Sequence, residues 1–207
     1  ILDQFHNVTA LSLTGIGEPF LNKDLLKMVS YAKSKGMFVS LTNNGTLINE
    51  RIASGIIDSG LDDLSFSIES ADPETYEKIR VGAKFDQVTE NIARFMKMKE
   101  QSGSRTPDVA MRTVSMSHTV YEIPGLIILA HKLGVNRVMV ASLLFPFKDI
   151  QDPEFQVTKT VHNQARELAK QLTVKLEWDI GRRGKFIPSS CMIPYHTPYH
   201  LLSYLLS

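Results

Sequence analysis

The sequence predicts an α/β fold, an incomplete parallel (β/α) barrel, and two observations predict it. The first is a repeating strand-helix unit. Helix-ending glycines recur as Lys35-Gly36-Met37, Ser59-Gly60-Leu61 and Leu133-Gly134-Val135, each leading into a strand of similar texture. Gly36 to Gly60 is 24 residues and Gly60 to Gly134 is 74, close to three such steps with one unit lengthened. Strands alternating with helices of this size argue a parallel sheet. The second is a one-sided alternation. In Leu64-Ser65-Phe66-Ser67-Ile68-Glu69 the apolar set takes one face and Ser65, Ser67 and Glu69 the other. Ala10, Ser12 and Thr14 repeat that small polar face, as do Ser40 with Thr42 and Ala110 with Arg112. An open doubly wound sheet is apolar on both faces, and a full dry barrel packs branched residues inside. A partial barrel with a wet, ligand-holding lumen accounts for the pattern better.

Taken in order, Ile1 to Phe5 reads as the end of an apolar-faced helix with no start signal before it, so an upstream segment is expected. Val8 to Thr14 alternates as a half-buried strand and breaks at Gly15-Ile16-Gly17-Glu18-Pro19. Asn22 is placed to cap a helix with the stripe Leu25, Leu26, Val29 and Ala32, stopped by Gly36. Strand Met37 to Thr42, turn Asn43-Asn44-Gly45, and a helix from Asn49-Glu50 carrying Ile52, Ile56 and Ile57 follow, with Gly60 as the stop. After strand Asp63 to Glu69, Asp72-Pro73-Glu74 supplies an N-cap, a first-turn proline and a dipole-matched acid for a short helix through Tyr76 and Ile79. A helix from Asp86 through Val88, Ile92 and Phe95 runs towards Gly103. Strand Val109 to Ser115, helix Ile123 to Leu133, strand Arg137 to Leu143, helix Val161 to Leu172 and strand Val174 to Ile180 complete the series. The partial barrel is thus expected over 1–180, with 181–207 a basic linker and the start of an extension.

Composition narrows the function classes. The chain has 207 residues, 43% hydrophobic and 22% charged, and a formal charge of +1 from 23 basic and 22 acidic residues. That balance points to no nucleic acid and no membrane surface, and the apolar runs near Leu126 and Val138 are too short or interrupted to span a bilayer. The single cysteine, Cys191, excludes an internal disulfide framework and fits a reducing, cytoplasmic compartment.

The turn after the first strand carries the chemistry. Gly15 and Gly17 lack the Cβ that would keep a ligand from the backbone, and Glu18 adds a negative charge beside them. Such a site suits a bound ammonium group better than a phosphate. The dinucleotide fingerprint fails because Phe20 stands where a third glycine is needed; a glycine-rich turn holding no ligand is the remaining alternative.

The ordered motifs resemble those of the radical S-adenosylmethionine (SAM) enzymes. Gly15-Ile16-Gly17-Glu18-Pro19 is similar to their Gly-Gly-Glu-Pro segment, with Ile16 in one usual glycine position. Thr42-Asn43-Asn44-Gly45-Thr46 resembles their Thr-Asn-Gly-Thr segment, and Ser67-Ile68-Glu69-Ser70-Ala71-Asp72-Pro73-Glu74 their Ser-x-Asp-Gly stretch leading into an Asp-Pro-Glu helix, with Arg80 completing a Lys-Ile-Arg ending. The resemblance implies a radical SAM type of partial barrel in which the backbone of Gly15, Ile16, Gly17 and Glu18, together with Asn43, meets SAM. It assigns Ser67 and Glu69 to the ribose or methionine part, Arg112 to the methionine carboxylate, and Leu143 or its neighbour Leu144 to the adenine. Alternatives at these positions are solvated strand-end residues, an ion pair of Arg112 with Glu69 or Glu18, and core packing of the leucines. The implied activity is reductive cleavage of SAM to a 5′-deoxyadenosyl radical that removes hydrogen from a substrate, with a reductase or flavodoxin-type electron donor.

One departure stands out. The family's Cys-x-x-x-Cys-x-x-Cys loop, which holds a [4Fe-4S] cluster, has no counterpart in this sequence, whose six histidines are scattered. The first strand and the cluster loop are therefore expected to be missing and this chain alone to be inactive, with a non-catalytic SAM-fold scaffold as the alternative. A cluster-free aldolase or epimerase lacks an evident lysine or carboxylate pair. Cys191-Met192-Ile193-Pro194-Tyr195 resembles the entry to a SPASM or twitch extension. That resemblance implies that Cys191 ligates an auxiliary iron-sulfur cluster, that more cysteines follow beyond Ser207, and that the substrate is a peptide or protein side chain.

Overall fold

The computed structural model describes residues 8–115, 119–142, 155–178 and 202–203. They form two compact units. One takes the described residues of Ile1–Phe66, Glu90–Val109 and Phe186–Ser207, the other those of Ser67–Thr89 and Ala110–Lys185.

In the first unit β1 (Ala10–Ser12), β2 (Phe38–Asn43) and the start of β3 (Asp63–Ser67) run parallel, with Ser12 opposite Ser40 and Thr42 opposite Ser65. The start of β4 (Asp108–Ser115) joins β3, Asp108 N donating to the Asp62 carbonyl at 2.8 Å. In the second unit the chain leaving β3 stays beside β4, Ile68 N donating to the Arg112 carbonyl at 3.0 Å. There β5 (Arg137–Ser142) lies parallel to β4 and β6 (Lys175–Trp178) parallel to β5. The strand order β1-β2-β3-β4-β5-β6 is that of the α/β parallel sheet the sequence predicts. A two-residue strand that sequence periodicity does not reveal, β7 (Leu202–Ser203), runs parallel to β1.

The helices follow from their caps and stripes. α1 (Leu25–Ser34) buries Leu25, Val29 and Ala32, but its N-cap is Asp24, two residues after the expected Asn22. Proline 19 is the reason: Pro19–Leu21 forms a 3-10 turn whose carbonyl of Pro19 takes the Asn22 N–H, and the Asn22 side chain accepts from Asp24 N at 2.9 Å instead of starting a helix. Asn49 caps α2 (Glu50–Asp58), accepting from Ile52 N at 3.0 Å, and Asp72 caps α3 (Pro73–Ile79), accepting from Thr75 N at 2.8 Å. These are the caps expected from Asn-Glu and Asp-Pro-Glu. α4 (Phe85–Ser102) buries Val88, Ile92 and Phe95, and Phe95 stands edge-on to Phe66 at 6.0 Å between ring centroids. α5 (Ile123–Lys132) and α6 (Phe155–Gln171) complete the second unit.

Gly36, Gly60 and Gly134 take φ of +75°, +73° and +73°. After α1 and α5 the next amide reaches back to close the last turn, Met37 N to Ala32 O at 3.2 Å and Val135 N to Ala130 O at 2.8 Å. α6 ends the same way without glycine: Thr173 sits at φ +57° and Val174 N reaches Ala169 O at 2.9 Å. The polar face of the strands is partly closed. Ser12 and Ser65 are buried, whereas Thr14, Ser40, Thr42, Ser67 and Arg112 are half-buried. β1 is also shorter than the alternation from Val8 to Thr14 suggests, and all three of its residues are buried. Among the described residues no helix is long and apolar enough to cross a membrane.

Candidate functional site

In the first unit the chain leaves β1 through Thr14, whose hydroxyl accepts from Thr42 N at 3.1 Å, and enters an exposed turn at Gly15-Ile16-Gly17. Gly17 takes φ +103°, and a Cβ built on it meets nothing within 4 Å, so this backbone is open to an approaching molecule. Ile16 is 88% exposed. Glu18 then turns its carboxylate inward. Its Oε1 accepts from Phe20 N at 3.1 Å, which starts the 3-10 turn, and its Oε2 accepts from Asn44 N at 2.8 Å. A carboxylate gripped by two backbone amides is fixed in direction.

Asn43, buried at the end of β2, shapes the loop that meets Glu18. Its Oδ1 accepts from Gly45 N at 2.8 Å and its Nδ2 donates to the Ser65 carbonyl at 3.0 Å. Gly45 takes φ +77°, and Asn44 Oδ1 accepts from Thr46 N at 2.9 Å. The sequence motif places Asn43 near a ligand; in the structure both polar ends of its side chain hold the turn.

In the second unit Ser67 ends β3 and Glu69 follows it, only 6% exposed. The Glu69 carboxylate meets the Arg80 guanidinium, whose Nε donates to Oε2 at 2.7 Å and whose Nη2 donates to Oε1. A planar donor fork suits a carboxylate in this way. The sequence motif places Arg80 only at the end of its helix, and its partnership with Glu69 comes from the fold. Ser70, fully buried, donates to Glu122 at 2.6 Å and accepts from Asp72 N at 2.9 Å, which ties the segment after Glu69 to the start of α5. Arg112 lies in β4, half-buried, with its carbonyl taken by Ile68. Tyr76 packs edge-on to Phe85 at 5.5 Å between centroids, and burial pushes its phenol above the ordinary range; its hydroxyl has no hydrogen-bond partner among the described residues.

Leu143, Leu144 and Cys191 lie outside the described residues. Among the described residues no group of three or more His, Cys, Asp and Glu side chains could hold a metal ion. His131 is exposed on α5, and His162 packs edge-on to Trp178 at 5.1 Å.

Residues 2–106, half of the chain, match the sequence model of the Radical SAM superfamily. The chain belongs to the radical SAM superfamily. Relatives within it include a probable GTP 3′,8-cyclase of Methanococcus maripaludis, 31% identical over 128 residues, which covers 61% of this chain and 40% of the cyclase. The PqqA peptide cyclase of Rhizobium meliloti is 28% identical over 138 residues, covering 67% of this chain and 35% of that protein. This radical SAM chain therefore spans well under half the length of these two relatives. Among solved structures, Streptococcus suis SuiB bound to its precursor peptide SuiA has a TM-score of 0.63 over 82% of this chain and 38% of SuiB, at 15% identity, a likeness of fold. SuiB has also been solved bound to SAM. SAM and a [4Fe-4S] cluster are the cofactors of the superfamily.

Proposed function

We propose that this chain is the SAM-binding portion of a radical SAM enzyme whose substrate is a peptide or protein side chain. The observation that carries the reading is the carboxylate of Glu18, fixed by Phe20 N and Asn44 N beside the open backbone at Gly17. That arrangement offers a directed negative charge beside a backbone with no side chain in the way at Gly17, which suits the methionyl ammonium of SAM. The family resemblance also assigns Glu69, held here by Arg80, to the ribose and Arg112 to the methionine carboxylate, roles that suit an acceptor and a planar cation. SAM, when bound and cleaved by an electron, supplies a hydrogen-abstracting radical, and the protein's part is to bind and orient it.

The cluster is a different matter. The 207 residues contain one cysteine, and a cluster of this type takes thiolate ligands. The described residues do not fit it. The peptide reading draws on the PqqA cyclase and on SuiB with its precursor peptide. The GTP cyclase favours a nucleotide substrate as the second reading.

Isothermal titration distinguishes them. SAM should bind saturably to the wild-type chain, and Arg112→Ala should weaken it roughly tenfold through loss of a charge-assisted partner. GTP should give no saturable signal. Saturable GTP binding would move the reading to the nucleotide, and SAM affinity unchanged in Arg112→Ala would remove that residue from the site.

A further inference from the structure

Asn91 lies on α4, 46 residues beyond Gly45, and it is 7% exposed. Its Nδ2 donates to the Gly45 carbonyl at 2.9 Å and to the Thr46 carbonyl at 3.3 Å. Its Oδ1 accepts from Arg94 Nη1 at 2.9 Å, and the same Arg94 nitrogen reaches the Ile48 carbonyl at 3.4 Å. Reversing the amide would set donor against donor at Arg94 and acceptor against acceptor at Gly45, so its orientation is determined.

The loop so held is the one that orients Glu18. Asn44, whose N–H grips Glu18 Oε2 at 2.8 Å, precedes Gly45, whose carbonyl Asn91 takes. Asn43 holds the same turn from the β3 side, through Gly45 N and the Ser65 carbonyl. All of these residues belong to one compact unit. A carbonyl turned away from water needs a donor, and Asn91 and Arg94 supply donors to this turn from α4.

We propose that Asn91 is a positioning residue for the Glu18 carboxylate, acting through the Asn43–Thr46 turn, with Arg94 fixing its amide. This rests on the reading of Glu18 as a SAM contact. Asn91 never meets the ligand; it sets the place from which the Asn44 amide pulls on Glu18, and so the direction in which the carboxylate faces the ammonium.

Asn91→Asp is close to isosteric. It keeps an acceptor for Arg94 but sets an oxygen without a proton against two carbonyls. In the 207-residue protein, amide hydrogen exchange should accelerate roughly tenfold at Asn44 and Phe20, the two amides on Glu18. It should stay unchanged at Val39, whose amide is held by Asp62 Oδ2 at 2.7 Å in the same unit. SAM affinity should fall roughly tenfold in parallel. Arg94→Met, a half-buried position, should shift both readouts in the same direction by a smaller factor. A merely structural role would raise exchange at all three amides together. That result, unchanged exchange at Asn44 and Phe20, or altered exchange with SAM affinity intact would each overturn the inference. Wild-type protein that binds no SAM would instead overturn the reading of the site beneath it, whatever the exchange shows.

Discussion

Arg80 grips Glu69 with two nitrogens across eleven residues of sequence, Nε reaching Oε2 at 2.7 Å, and so closes the segment between the end of β3 and the end of α3 into a ring. The carboxylate side chain is 8% exposed and the guanidinium 34%. Removing one partner of such a pair leaves a buried charge, which costs more than the pair contributes.

Arg80→Met should therefore destabilise the protein by about 2 kcal/mol, less than for a fully buried pair because Arg80 is partly hydrated. Arg80→Lys should recover only part of it, since an ammonium cannot make the forked contact. Urea unfolding checks both. A loss under about 0.5 kcal/mol in Arg80→Met, the range of ordinary surface changes, would show that the contact is incidental.

Gly17 stands at φ +103° with open space beyond it, so a side chain there meets strain and not a clash. Gly17→Val should lose about 1 kcal/mol of stability for the backbone alone. It should weaken SAM binding by a larger factor than that loss explains, because the branched side chain occupies the approach to the carbonyls. Calorimetric unfolding and SAM titration separate the two effects. Equal SAM affinity in wild type and variant would exclude this backbone from the site.

Asp72 caps α3, and the Thr75 amide, followed by the Thr75 side chain, holds its carboxyl below the ordinary aspartate range. A group whose pKa is lower folded than unfolded takes up its proton first in the unfolded chain. Its stabilisation is present above the ordinary aspartate value and disappears as pH falls through the lower, folded one. Asp72→Asn keeps an oxygen for the Thr75 amide but has no charge to lose. The variant should show a shallower fall of melting temperature over that acid window and a smaller difference from wild type at its acid end. An acid limb of the same slope in both proteins would assign the pH dependence elsewhere.

Thr173 is a β-branched residue at φ +57°, in the position where glycine ends α1, α2 and α5. Such a conformation is strained. Thr173→Gly should raise stability by about 1 kcal/mol and the melting temperature by about 3 °C. An unchanged or lowered melting temperature would mean that the threonine side chain makes compensating contacts.

The same residue shows where the sequence could be read and where it could not. Gly36, Gly60 and Gly134 announced helix stops because glycine is the residue that takes positive φ without strain, and all three do. Thr173 makes the same stop with none of that signature, so the end of α6 was legible only from the loss of periodicity. Asn49 and Asp72 were legible as caps because their partners lie three residues away. Asn22 was misread because the short 3-10 turn begun by Pro19 pushes the helix start to Asp24. The site divides in the same way. Gly15, Gly17 and Glu18 are contiguous and carry their chemistry locally. The grip of Asn44 on Glu18 spans 26 residues and that of Asn91 on Gly45 spans 46, and neither has a period or a motif to give it away.

The most direct test is of Glu18 itself. Wild type and Glu18→Gln are titrated with SAM and with 5′-methylthioadenosine, which keeps the adenosine but lacks the methionyl amino acid. If the carboxylate fixed by Phe20 N and Asn44 N takes the ammonium, Glu18→Gln should lose roughly tenfold or more in SAM affinity. Its affinity for 5′-methylthioadenosine should stay where it is. Equal losses for both molecules, or no loss for either, would contradict the account.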